Sequence, residues 1–427
     1  MRATRNGLLA LACAAAAFAL PAQTIAITGG TVYPVSGPKI QNGTVIITNG
    51  KITAVGANVA VPAGATKIDA TGKWVTPGLV NSSTVLGLVD VGFGADANES
   101  NSRGKDDISA SFQPWLGYNP LNVLIPAARE GGVTTVAIWP NGNLVGGQGA
   151  MLDLFPGALP DVLLKGPIGM AAELEQLRSA GVGSRGELIG KLQDLFAATK
   201  QYMANREAYN AARMRELGFR KADLDAMVPV VTGVLPLVVG VNSAADIQEA
   251  IRLSKQLGFK MVLYGASEGW MVAKDIAAAK APVITGAMNN IPRDFVELNS
   301  RQDNAAILRK AGVTVVLVGN AGGGDEENFN VKNVRFEAGN AVGYGMTWDD
   351  ALRAVTLAPA EVFGVAGRIG ALKAGMEGNV VVWSGDPFEF ATQAEHVFVR
   401  GVEYTAPSRK DLLTERYKTL PPSYYTP

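Results

Sequence analysis

The side chains able to do chemistry in this chain are few. Its 427 residues contain one histidine, His396, and one cysteine, Cys13, whereas zinc, haem, iron–sulfur and Ser-His-Asp chemistry all draw on these two side chains. Hydroxyls and carboxylates in short patterns remain. Gly265-Ala266-Ser267-Glu268-Gly269 has the G-x-S-x-G spacing of a nucleophile elbow, between an apolar run and an amphipathic stretch. Asp386 and His396 follow it in the order Ser, Asp, His, so a serine hydrolase using Ser267 is one reading and a plain turn between strand and helix the other. Gly322-Gly323-Gly324-Asp325-Glu326-Glu327 places three carboxylates on a Gly-rich loop; they could collect Mg²⁺ or Ca²⁺, or be a solvated acidic loop. Asn143 to Gly149 is Gly-rich too, but no G-x-x-x-x-G-K occurs anywhere, so nucleotide binding lacks support.

The elements that must position these groups show in the patterning. Hydrophobic residues make up 48% and charged residues 18%, a globular composition. From Thr24 to Lys73 short alternating runs are separated by Asn42-Gly43 and Asn49-Gly50, both hairpin-turn signals. From about Pro77 an apolar strand followed by an amphipathic helix recurs: Pro236 to Val241 then Ala245 to Leu257, Met261 to Tyr264 then Gly269 to Ala279, Val313 to Val318 after Asn304 to Lys310. Such repeats bury a parallel sheet and predict a TIM-type (β/α)8 barrel. A helix is expected over 194–216 as an insertion, and Thr347 with Asp350 suits a helix start. Gly370 to Trp383 returns to β alternation, and His396 to Gly401 reads as a further strand with His396 on its surface or edge. The fold class is therefore α/β, a barrel with a small β-sandwich built from both chain ends. The expected units are 23–75 plus 366–405 for the sandwich, 76–365 for the barrel and 406–427 for a C-terminal tail.

Arg2 and Arg5 precede an uncharged Leu/Ala-rich run from Gly7 to Leu20, then Pro21-Ala22-Gln23, the order of a secretory signal. Residues 1–22 are set aside as this signal, and export to a periplasm follows. Cys13 leaves with the signal, so no disulfide is expected. Lys plus Arg equal Asp plus Glu at 38 each, and no later segment is long and apolar enough to span a bilayer. Neither nucleic acid nor membrane is an expected partner.

Several short motifs, in order over most of the chain, resemble the amidohydrolase superfamily. They are Ile27-Thr28-Gly29-Gly30-Thr31-Val32-Tyr33, Pro77-Gly78-Leu79-Val80, Asn143-Leu144-Val145-Gly146-Gly147-Gln148-Gly149, Glu297-Leu298-Asn299-Ser300-Arg301, Val334-Arg335-Phe336-Glu337-Ala338-Gly339, and Gly370 to Gly375 with Val381-Val382-Trp383. They are similar to the imidazolonepropionase-like branch. The resemblance implies a split sandwich, a barrel, and a metal centre of an H-x-H pair on strand one, single His ligands after strands five and six, and an Asp at strand eight. Those ligands would activate a water for attack on an amide-like carbon. In this chain the register puts Ser83 and Val85, Gly240, Tyr264 or Gly265, and Asn320 at these positions. Four imidazoles cannot be drawn from one histidine, so no zinc or other cofactor is expected. The Gly378-Asn379 pair also departs from the family's usual Ala-Asp, a matter of packing rather than catalysis.

By the same register Ser82, Ser83, Thr84, Gln148, Asn242, Glu268 and Asn320 are expected to line a polar cleft where the ions would have been. Three functions follow as expectations. The first is a degenerate member, a pseudoenzyme that binds a small molecule or serves a catalytic paralogue as partner in a homo- or hetero-oligomer. The second is a metal-free or carboxylate-metal hydrolase of non-peptide C–N bonds, on cyclic amides or dipeptide-like substrates, through residues such as Glu268 or Asp325. The third is the serine hydrolase.

Overall fold

A computed structural model describes residues 23–90, 98–102, 107–175, 184–288, 292, 297–319, 329–404, 407 and 409–419. Residues 1–22, Asn320 and Asp325-Glu326-Glu327 lie outside the described residues.

Two eight-stranded sheets carry the architecture. The first joins β1 (Thr24–Val32), β2 (Ile40–Thr48), β3 (Lys51–Gly56), β4 (Thr66–Asp69) and β5 (Trp74–Pro77) to β14 (Val380–Trp383), β15 (Ala394–Val399) and β16 (Val402–Glu403). The two chain ends meet where β5 pairs antiparallel with β14. Isoleucines and valines of both ends, Ile25, Ile27, Val45, Ile47, Val380 and Val382 among them, share one core. Asn49-Gly50 makes the β2–β3 turn, with φ of 51° and 78°, the doubly positive geometry of a type I′ hairpin. Asn42-Gly43 does not turn the chain, contrary to expectation. It lies inside β2, and the β1–β2 register slips opposite it, so its positive φ of 50° at Asn42 serves an irregularity rather than a hairpin.

The second sheet runs in the order β13-β12-β11-β10-β9-β8-β7-β6. Its strands are β6 (Leu79–Thr84), β7 (Val133–Ile138), β8 (Val145–Asp153), β9 (Leu163–Glu173), β10 (Leu237–Val241), β11 (Met261–Gly265), β12 (Val283–Thr285) and β13 (Val315–Leu317). Each strand contributes at least one side chain to a single interior cluster: Val80, Ala137, Met151, Leu164 and Ile168, Val238, Val262, Ile284 and Val316. A second, larger cluster packs the outer faces against the helices. This is the nearly closed barrel that the alternating pattern predicts, with one correction. β8 is antiparallel to both β7 and β9, because a turn at Asn141-Gly142-Asn143, φ 78° at Gly142 and 65° at Asn143, links β7 to β8. So short a link cannot make the crossover that a parallel neighbour requires.

Helix starts follow their caps. Thr347 accepts from Asp350 N at 3.1 Å and opens Trp348–Ala354. Ser243 accepts from Asp246 N at 3.2 Å and opens Ala244–Leu257, which ends at Gly258 in the left-handed region. The inserted helix expected over 194–216 instead spans Arg185–Ala204, followed by a short turn Arg206–Asn210. Ser184 caps it at Glu187 N, so the start signal outweighs the glycines at 186 and 190. No helix among the described residues is long and apolar enough to cross a membrane.

A buried polar cluster clamps barrel to sandwich. Asp153, at the end of β8, accepts from Arg400 Nε at 2.7 Å, from Thr135 Oγ1 at 2.9 Å and from Asn379 Nδ2 at 3.1 Å. Asn379 Oδ1 in turn accepts from Arg400 N at 2.8 Å. Burial holds the Asp153 carboxyl above the usual carboxylate range despite the guanidinium beside it. Gly378 sits where a Cβ would stand 2.7 Å from Ile47 Cγ2 and 3.0 Å from Gly50 O, so the family's alanine does not fit. Arg400→Ala should cost about 3–5 kcal/mol in chemical denaturation, the penalty for stranding a buried charge. Asn379→Asp puts a second carboxylate against Asp153. Its loss, about 1–3 kcal/mol at pH 8, should shrink as the pH is lowered and one of the two carboxyls takes up a proton.

Candidate functional site

The C-terminal ends of the barrel strands surround a cavity of about 250 Å³, lined by Ser83, Trp139, Asn141, Gly142, Asn143, Glu173, Val238, Gly240, Tyr264 and Ile284 among others. Active sites of barrels occur at this end because loops there can vary without disturbing the core. Ser83 reaches the cavity through an irregularity of β6. The register against β7 shifts between Asn81 and Thr84, and Asn81 is anchored by its Nδ2 donating to Val331 O at 3.0 Å. Trp139 is fixed by its indole N–H donating to Ser82 O at 2.8 Å. Asn143 is fixed by Nδ2 donating to Ser102 O at 2.9 Å and Ser109 Oγ at 3.1 Å.

Two features occupy the places that the register assigns to imidazoles. Ser83 Oγ donates to Tyr264 Oη at 3.0 Å, joining the strand-one and strand-six positions directly. At the strand-five position, a side chain on Gly240 would begin 2.8 Å from Glu173 Cδ and closer still to Oε2, so the Glu173 carboxyl already fills that space. Glu173 Oε1 accepts from Glu175 N at 3.0 Å. Burial pushes the Glu173 carboxyl up to about 8, with the neighbouring Glu175 carboxylate adding to the rise. Among the described residues no Lys or Arg lines the cavity, so near neutral pH the polar groups they present are hydroxyls, amides and a protonated carboxyl.

The donor set does not fit a zinc centre of the family type. Among the described residues, hydroxyls, amides, a hydrogen and a single carboxyl face the space, and hydroxyls and amides are poor substitutes for imidazole. Among the described residues, no three His, Cys, Asp or Glu side chains come together where they could hold an ion. Val85 is buried in the outer core rather than at the cavity.

Of the expected cleft residues that are described, only Ser83 lines the cavity. Ser82 is buried with a hydroxyl that has no partner among the described residues. Thr84 Oγ1 donates to Ala137 O at 3.1 Å, within the sheet. Gln148 Nε2 donates to Ala110 O at 3.1 Å and supports a loop. Asn242 is saturated: its N and Nδ2 donate to Glu175, and Oδ1 accepts from Ser267 Oγ at 2.9 Å. Glu268 accepts from Ala244 N at 3.0 Å, Asn299 N at 3.1 Å and Asn299 Nδ2 at 2.9 Å. It therefore ties three loops together, and the carboxyl facing the cavity is Glu173, which the motif reading missed. A carboxylate closing the long strand Leu163–Glu173 was the available signal.

The serine-hydrolase reading is corrected. The hydroxyl of Ser267, in a turn where Ala266 has φ 46°, bonds Asn242 and not an imidazole. His396 is in the other sheet, its Nδ1 2.6 Å from Glu403 Oε1. Asp386 accepts from Trp348 Nε1 at 2.9 Å. The three residues of the supposed triad thus have separate structural partners.

Comparison with known proteins places this geometry in a lineage. The family model described as "Amidohydrolase family" matches residues 234–405. The chain is 23% identical over 392 residues to the amidohydrolase tasK of Hapsidospora irregularis, covering 84% of this chain but only 39% of that protein. It is 24% identical over 387 residues to an imidazolonepropionase of Acidiphilium cryptum, covering 82% of this chain and 89% of the relative. The crystal structure of an amidohydrolase from Thermotoga maritima superposes with a TM-score of 0.80 at 27% identity, over 90% of this chain and all of the other. Split sandwich, barrel, motif order and relatives agree in supporting the amidohydrolase superfamily as the group this chain resembles.

Proposed function

We propose that this chain is a member of the superfamily that works without a histidine metal centre and binds a small, neutral, polar molecule in the mouth of its barrel. The observation that carries the reading is the position of the Glu173 carboxyl, which fills the space above Gly240 where a ligand side chain would have to begin. Ser83 and Tyr264 present hydroxyls beside it, and Trp139, Val238 and Ile284 give it apolar walls. Such a lining suits a flat amide, with its carbonyl taking a proton donor and its N–H an acceptor, held against apolar surface. The names of the relatives, amidohydrolase and imidazolonepropionase, support an amide-like class of ligand. The charged-then-apolar order of residues 2–22 supports binding after export.

A second reading keeps hydrolysis of C–N bonds, with Glu173 as the proton-transfer group. Its support is a carboxyl tuned to about 8 at the cavity wall, within the range a general acid or base needs at neutral pH. Glu268, whose carboxylate already accepts from three N–H groups, is a poor candidate for that role.

Metal analysis of the purified protein should find zinc far below one ion per chain, and stoichiometric tight zinc would overturn the proposal. Calorimetric titration with cyclic amides and dipeptides should find a binder, with Ser83→Ala and Tyr264→Phe each weakening it about three- to tenfold, the effect of one lost hydrogen bond. Turnover that vanishes in Glu173→Gln while binding persists would select the second reading.

Glu173 also makes stability depend on pH. A carboxyl whose pKa is higher folded than unfolded binds its proton more tightly in the native state. Its contribution is therefore complete below the unfolded value, near 4.5, and is lost as pH rises through about 8. Wild-type stability should fall across that window by up to about 1.4 kcal/mol per pH unit, and Glu173→Gln should flatten the slope in denaturation measured from pH 5 to pH 8.

A further inference from the structure

A second cavity, of about 580 Å³, lies between the helix Leu124–Glu130, the segment around Lys332 to Phe336 and the strand-end residues of the sandwich. It shares no lining residue with the barrel mouth. Three cations line it: Arg129, Lys332 and Arg335, all half-buried. None has a carboxylate partner among the described residues. Arg335 Nη1 donates to Pro387 O at 3.1 Å and Thr392 O at 2.9 Å, and its Nε and Nη2 have no hydrogen-bond partner among the described residues. Arg129 Nη1 donates to Leu154 O at 3.2 Å, and its guanidinium lies over the Tyr404 ring, 4.0 Å from the centroid. The Tyr404 hydroxyl is buried beside that guanidinium. Burial lowers the pKa of both arginines, as expected where charge is held partly out of water without a counter-ion.

The acids at this cavity do not answer that charge. Glu130, Glu395 and Asp411 are exposed, and Glu395 is bound to Lys73 at 2.6 Å. Solvent screens the carboxylates, while the guanidiniums sit in lower dielectric, so the interior favours an arriving anion. Beside the cations Phe336 and Phe390 stack, with centroids 4.3 Å apart and planes at 19°. Phe390 is 79% exposed and offers an open ring face.

We propose that this cavity is a second ligand site, built for a small aromatic carboxylate: its oxygens on the free donors of Arg335 and on Lys332, its ring against Phe390. The site is independent of the barrel-mouth reading.

The test is titration of the full-length protein with benzoate, with benzamide as the neutral isostere and inorganic phosphate as the anion without a ring, read by calorimetry. Benzoate should bind in the millimolar range or tighter, and benzamide and phosphate each about tenfold more weakly. Arg335→Gln should weaken benzoate about tenfold or more, the effect of a lost charge-assisted hydrogen bond, and Phe390→Ala and Lys332→Gln by smaller factors. Glu173→Gln should leave benzoate affinity unchanged, which separates this site from the first. Circular dichroism shows whether Arg335→Gln folds; should it not, the two surface variants decide. No benzoate binding, equal binding of benzamide or phosphate, or benzoate affinity indifferent to the folded variants would each overturn the proposal.

Discussion

The space at the end of β10 holds one group. A residue at 240 with any side chain and the carboxyl of Glu173 cannot both occupy it, since a Cβ there would begin inside van der Waals contact with the carboxyl. The mouth of the barrel follows from that exclusion. Glycine at 240 lets Glu173 turn inward from the neighbouring strand β9, paired with β10 in register Gly240 to Glu173. Turning inward takes the carboxyl out of water and raises its pKa, so the group nearest the missing imidazole is neutral at the pH where a metal ligand must be charged or hold a free lone pair.

An ion centre gathers anionic and lone-pair donors around a positive charge, and their mutual repulsion is relieved only by the ion. Here the same positions hold groups that satisfy one another. Ser83 bonds Tyr264, Glu173 accepts from the backbone of Glu175, and Glu175 is held by Asn242. Asn242 then fixes Ser267, so the chain of bonds runs from the cavity wall into the loop that carries the G-x-S-x-G pattern. That loop owes its shape to this network, and the hydroxyl within it is spent on structure.

The fold was legible because its signals are repetitive. Strand and helix alternate through most of the barrel, and apolar residues from every strand fill the interior, so errors at single positions do not disturb the pattern. What the sequence did not disclose was local. The inversion of β8 depends on a short turn that looks like any Gly-rich loop, and Asn42-Gly43 has turn composition without turning. The site was harder still. Assigning cleft residues by register assumes an unbroken alternation along β6, whereas the slip between Asn81 and Thr84 changes which side chains face inward. Ser82 and Thr84 fell to that assumption. Asn242 and Glu268 were misread for another reason: polar residues near a barrel mouth are as often the struts of loops as the lining of a pocket, and only their hydrogen-bond partners tell the two apart.

Reversal of β8 connects the two ends of the molecule. Because the strand runs downward, its first residues follow the turn whose Asn141 and Asn143 line the cavity, and its last, Asp153, arrives at the opposite end beneath the sandwich. There Arg400 and Asn379 reach in from the C-terminal strands and satisfy its carboxyl. An aspartate at 379 would leave two carboxylates sharing one guanidinium in a buried site, so the asparagine follows from the position of Asp153, and the position of Asp153 follows from the reversal. The departure at 379 is a consequence of packing between barrel and sandwich. The departures at 83, 240 and 264 face the opposite end, at the cavity wall.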